Sequence, residues 1–125
     1  MLRCIVLTGH VNVTIIMVMA DRQPFALVYA ALVKRHLRAI GLKYHSVIRT
    51  ENETQLVHEP DGETRNRKPL KRPVIFGADW ELRLGPGNRF RVFYQVDREK
   101  REVRILAIGV KKGNVLFIEG KEFSG

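Results

Sequence analysis

WELRLGPGNRFRVFYQVD, residues 80–97, decides the reading of this chain. Trp80, Leu82 and Leu84 alternate with Glu81 and Arg83. After a Gly85–Asn88 turn, Phe90, Val92, Tyr94 and Val96 alternate with Arg91 and Gln95. A period of two with one apolar face describes half-buried strands, and GPGN between two such runs describes a hairpin. Register then follows from burial. Leu84 opposite Phe90 and Leu82 opposite Val92 keep the apolar side chains on one face, and the same pairing sets Arg83 opposite Arg91 on the other.

Downstream of the hairpin, the polar turn DREKR leads into VRILAIGV, whose nearly continuous apolar character suits a central strand covered on both faces. The tail KKGNVLFIEGKEF leaves room for a last short strand. Upstream, the basic linker ETRNRKPLKRPVIFG separates the hairpin from a region with a different period. Between Ala30 and Pro60, the residues Leu32, Val33, Leu37, Ile40, Tyr44, Val47, Ile48 and Leu56 recur at steps of three and four, as an amphipathic helix or helical hairpin requires. Gly41 is the expected break between two helices, and Pro60 with Gly62 ends the region. PFALVY, residues 24–29, reads as an entering strand.

Residues 1–20, MLRCIVLTGHVNVTIIMVMA, match nothing downstream and are taken as an N-terminal extension to one domain at 21–125. The favoured origin is an annotated start upstream of the one used in the cell, at Met17 or Met19. An export signal and a real additional strand are the other two readings; Thr8, Gly9, His10, Asn12 and Thr14 interrupt the apolar run that export would need. No stretch approaches the roughly 18 uninterrupted apolar residues of a membrane span. The single cysteine, Cys4, has no internal partner, which suits a reducing cytoplasm.

Twenty-two Lys and Arg against 13 Asp and Glu leave a formal charge of +9. The excess is concentrated: residues 1–62 carry 7 basic and 5 acidic side chains, residues 63–125 carry 15 and 8. A polyanionic partner contacting the C-terminal half is the natural expectation.

Arg83 facing Arg91 gives that expectation an address. Like charges at cross-strand positions are destabilising, so the pair makes most sense as a grip for an anion, and the planar guanidinium fork suits phosphate oxygens. The competing reading is that Glu81, two residues from Arg83 on the same face, already neutralises the pair. Further basic contacts are expected from Arg65, Arg67, Lys68, Lys71 and Arg72 in the linker, from Arg89, and from Lys111 and Lys112 beyond the central strand. His10, His36, His45 and His58 are scattered and read as ordinary. No Walker loop, dinucleotide fingerprint or zinc spacing occurs, so neither a metal nor a cofactor is expected.

KPLKRP, WELRLGPGNRFRVFYQVD and VRILAIGVKKGNVLFIEGKEF together resemble the RelE/ParE toxin family of bacterial type II toxin-antitoxin systems, over a run from about Pro24 to Phe123. The resemblance implies an α+β fold, with two N-terminal helices packed on a twisted, mostly antiparallel sheet of about four strands, and an acidic cognate antitoxin. It also implies a metal-independent endoribonuclease that cleaves mRNA on the ribosome and inhibits translation, using the RNA's own 2′-hydroxyl as nucleophile. Arg83, Arg91 and Lys111 match basic positions of the family's catalytic face, with Glu81 the nearby carboxylate to consider as a base. Many active members carry a Tyr or His in the C-terminal tail. Phe117 and Phe123 occupy that region here; Phe117 can stack on a base but cannot transfer a proton. That departure keeps two alternatives open: a ParE-like inhibitor of DNA gyrase without nuclease chemistry, and a decayed toxin that only binds its antitoxin.

Overall fold

The computed structural model describes residues 23–71 and 76–123. One sheet organises them. Strands β2 (Arg67–Pro69), β3 (Trp80–Leu84), β4 (Phe90–Asp97), β5 (Glu102–Lys112), β6 (Val115–Ile118) and β7 (Lys121–Phe123) pair in that order, each antiparallel to the next. β1 (Ala26–Tyr29) joins β5 in parallel. The long β5 therefore pairs with β4 along one edge, and with β1 and then β6 along the other.

The helical region divides at Gly41. Helix α1 (Val33–Arg38) is six residues long; a 3-10 turn at Leu42–Tyr44 then runs into the twelve-residue α2 (His45–Leu56). Gly41 sits at φ −52°, ψ 135°, an extended conformation that stops the first helix. Ile48, Asn52 and Leu56, four residues apart, are the buried residues of α2. Two helices on about four strands was the expectation, and it needs correcting: the described residues form one main helix, a short one before it, and seven strands. The additional strands are three or four residues long, too short for a period of two to be distinguished from chance.

Phe25, Val33, Ile40, Ile48 and Leu56 pack onto Leu82, Leu84, Phe90, Val92, Tyr94, Val103, Ile105 and Ile108. A register shift keeps both central strands facing this core. Phe93 pairs with Ala107, but Tyr94 pairs with Ile105, so Leu106 is an extra residue on β5. Val92 and Tyr94 of β4 thus stay matched to Ile108 and Ile105. A second, smaller cluster of Ala78, Phe93, Ala107 and Ile118, backed by Leu70, Leu106, Leu116 and Phe123, covers part of the sheet's opposite side. That side is otherwise open among the described residues. The N-terminal extension expected at 1–20 lies outside the described residues, as does Arg72.

Candidate functional site

The open side of the sheet carries the charged cluster. Arg83 and Arg91 are direct cross-strand partners, as the alternation requires. The turn between them is built for its place: Gly85 has φ 83°, and a Cβ there would lie 2.3 Å from the Phe90 ring, so glycine is required. Asn88 at the end of the turn adopts φ 54° and accepts a hydrogen bond on its carbonyl oxygen from Arg91 Nε at 3.2 Å.

Both guanidinium groups converge on one atom. Glu81 Oε2 accepts from Arg83 Nε at 2.9 Å and from Arg91 Nη1 at 2.7 Å. The expected open pair of cations is therefore corrected: the chain's own carboxylate occupies the place where a bound anion was anticipated. The two arginines differ in what they leave exposed. The Arg91 side chain is 14% exposed beside a Glu81 that is 13% exposed, whereas Arg83 is 39% exposed. Arg83 Nη1 and Nη2 make no hydrogen bond among the described residues, and neither does Glu81 Oε1.

Lys68 and Lys111 extend the basic surface on this face. Lys68 pairs with Glu81 across β2 and β3, with its ammonium 3.6 Å from Glu63. Lys111 stands two residues beyond Gly109, the cross-strand partner of Arg91, and its backbone N–H donates to the Arg89 carbonyl at 2.7 Å. Gly109 brings β6 close, since a Cβ there would meet the Phe117 carbonyl oxygen at 2.8 Å.

The other sequence-derived candidates do not join them. Arg67 pairs with Leu82 and so faces the helices, where its Nη1 donates to the Gln55 carbonyl at 2.6 Å and its Nε to the Gly62 carbonyl at 2.9 Å. Arg65 and Lys71 are exposed in connecting segments. Arg89 turns toward the helix side, its guanidinium 5.5 Å from the Tyr44 ring centre. Phe117 pairs with Val110 and lines, with Tyr44 and Phe90, a cavity of about 250 Å3 on that same side; Lys112 lies over its ring at 5.2 Å. Phe123 is cross-strand from Leu116 and belongs to the small apolar cluster. The C-terminal tail is thus a paired hairpin.

Sequence reasoning passed over two groups. His36 is 2% exposed, and its Nδ1 accepts from the Ile108 backbone N–H at 3.2 Å, in the part of β5 that lies between β1 and β6. Its spacing from Val33 and Ile40 along the apolar stripe was the available signal. Burial lowers its pKa below the ordinary value, with Glu119 raising it and Arg35 lowering it further. The second group is Arg98 and Arg101 in the DREKR turn. Arg98 grips Asp61 through two bonds of 2.6 and 2.7 Å, which hold the Asp61 carboxyl below its usual range.

Among the described residues no group of three or more His, Cys, Asp or Glu side chains could hold a metal ion. No helix there is long and apolar enough to cross a membrane.

No family model matches the chain, and no curated protein matches it. Among solved structures, it is similar to a chain of the RelBE2 toxin-antitoxin complex from Mycobacterium tuberculosis. That likeness has a TM-score of 0.59 at 22% identity, and covers 71% of this chain and 93% of that one. The two share a fold.

Proposed function

We propose that this chain is the toxin of a type II toxin-antitoxin pair, of the RelE/ParE kind, and that it acts on RNA through the open face of its sheet. The observation that carries the reading is the charge arrangement there. Arg83, Arg91, Lys68 and Lys111 share one side of four adjacent strands, with Glu81 at the centre. An RNA phosphate would meet Arg83 first, because its two terminal amino groups point to no partner among the described residues. Arg91, mostly buried and doubly bonded, holds Glu81 in place beneath.

The chemistry this supports is cleavage of mRNA, on the ribosome, without a metal. The 2′-hydroxyl attacks the adjacent phosphorus as it loses its proton, and the bond to the 5′-oxygen breaks as that oxygen gains one. Glu81 Oε2 is engaged by two guanidinium groups, so Oε1 is the oxygen that would take the proton. Arg83 would neutralise the charge that builds on phosphorus, and Lys111 would supply the leaving group's proton. The cognate partner would be an acidic antitoxin that covers this face or displaces an element needed for it.

A second reading rests on the same triad. Its two arginines already share a carboxylate inside the chain, and the paired C-terminal hairpin brings neither Tyr nor His to the face. Such a protein would act by binding alone, as a gyrase inhibitor or as a decayed toxin that only holds its antitoxin. Induction of wild type separates the two, and Glu81→Gln tests the proposed base within the first. If Glu81 is the base, the variant binds RNA at least as tightly as wild type but cleaves it at least 100-fold more slowly. If Glu81 only pairs with the arginines, the variant cuts normally; and if induction of wild type breaks DNA or leaves mRNA and growth untouched, the nuclease reading is wrong.

A further inference from the structure

Arg67 and Lys68 are consecutive residues of β2, the terminal strand of the sheet, and they face opposite sides of it. Lys68 belongs to the open face. Arg67 lines a cavity of about 560 Å3 on the helix side, with Arg98, Arg101, Phe25, Thr54 and Glu59 among its walls. Three guanidinium groups line it together with the Glu59 carboxylate, and Arg98 is held from outside it by Asp61.

Arg101 is the residue whose placement asks for an explanation. Its backbone sits at φ 52°, a left-handed conformation that costs a side-chain-bearing residue about 1–2 kcal/mol and that glycine adopts freely. The guanidinium lies 4.2 Å from the centre of the Phe25 ring, and one terminal nitrogen donates to the Gln23 carbonyl. Its Nε is buried and has no hydrogen-bond partner among the described residues. Buried donors are rarely left unmet, because the lost solvation is not recovered. Asp61 is taken up by Arg98 and Arg67 is spent on Gln55 and Gly62, and Glu59, the carboxylate among the cavity walls, makes no hydrogen bond to Arg101 among the described residues.

We propose that this cavity is a second phosphate-binding site, and that an RNA strand held on the open face continues over the edge of β2 to place a backbone phosphodiester between Arg98 and Arg101. The inference rests on the RNA-binding reading above and extends it to the other side of the sheet. Lys68 and Arg67 mark the crossing. The site is specific for backbone rather than base, since guanidinium groups reading phosphate carry no sequence information.

Fluorescence anisotropy with single-stranded oligouridylates of about 4 and about 14 nucleotides, within the usual span of single-strand sites, tests it on the full chain. Arg101→Gly is the informative variant, because it removes the cation while relaxing the backbone, so folding should be retained or improved. The expected result is a roughly 10-fold loss of affinity for the long oligonucleotide. The slope of log affinity against log salt should also be smaller by about 0.7, with no change for the short one. Arg83→Ala should weaken both. Unchanged binding of the long oligonucleotide by Arg101→Gly, with Arg83→Ala still impaired, overturns the second site and leaves the first standing. If neither substitution matters, the RNA-binding reading has failed as well. A rise in melting temperature with inorganic phosphate, seen in wild type alone but without any RNA effect, would assign the cavity to a free oxyanion and also overturn the proposal.

Discussion

The two faces of this sheet are made from the same strands and do opposite work. On the helix side, β3, β4 and β5 contribute Leu82, Leu84, Phe90, Val92, Tyr94, Val103, Ile105 and Ile108 to the main core. On the open side the same three strands contribute Glu81, Arg83, Arg91, Phe93, Ala107 and Gly109, a mixture of charge, small residues and one aromatic ring. Alternation lets neighbouring residues be chosen for unrelated ends: Phe90 and Val92 for cohesion, Arg91 between them for electrostatics. The faces should accordingly answer differently to the same kind of change.

Phenylalanine to alanine gives the largest contrast. Phe90→Ala should cost about 3–5 kcal/mol in urea unfolding, because Phe90 is 1% exposed inside the main cluster. Phe93→Ala, from a residue only slightly more exposed at 3%, should cost clearly less, since the small cluster lies next to solvent and can close over the gap. Equal losses would mean that the open side is a second core and not a cover. Gly109→Ala comes next, at about 1–3 kcal/mol, since the new methyl group would press on the Phe117 carbonyl oxygen and on Leu116 and Ile118. A stability unchanged by that methyl group would show that β6 is free to withdraw from β5.

The smallest effect sharpens the comparison from the helix side. His36 has a native pKa below 6.5, so between the two values the unfolded state binds more protons than the native one, and stability must rise with pH. Acidification from above pH 6.5 should lower the urea midpoint of wild type until the native pKa is passed. His36→Gln, which keeps an acceptor for the Ile108 N–H, should remove that part of the slope. An identical pH profile in the variant would show that the imidazole does not carry this dependence.

How much of this was readable beforehand differs by element. The hairpin was readable because Leu82, Leu84, Phe90 and Val92 fix their own register, and Arg83 opposite Arg91 followed from it. The break at Gly41 was readable from its place between two apolar stripes. Arg67 was not: in a three-residue strand the face of each side chain depends on a pairing with β3 that no local pattern specifies, so a half-buried arginine bonded to the Gln55 and Gly62 carbonyls looked like the other basic residues of the linker. Phe117 was misplaced for a related reason, since its face is set by pairing with Val110. Glu81 could be weighed from sequence as a neutralising partner. That a single oxygen serves both arginines depends on side-chain geometry.

The parallel pairing of β1 with β5 has a consequence for biosynthesis. Ala26–Tyr29 hydrogen-bonds to residues 102–105, and Phe25 beside it belongs to the main core. Translation proceeds from the N-terminus, so the first strand of the described fold stays unseated until the ribosome has added the eleven-residue strand that receives it. A nascent chain interrupted before that point can pair β2, β3 and β4 but has no place for β1, so its early apolar residues remain open to chaperones and proteases. Truncated products should be cleared and not accumulate in a folded form.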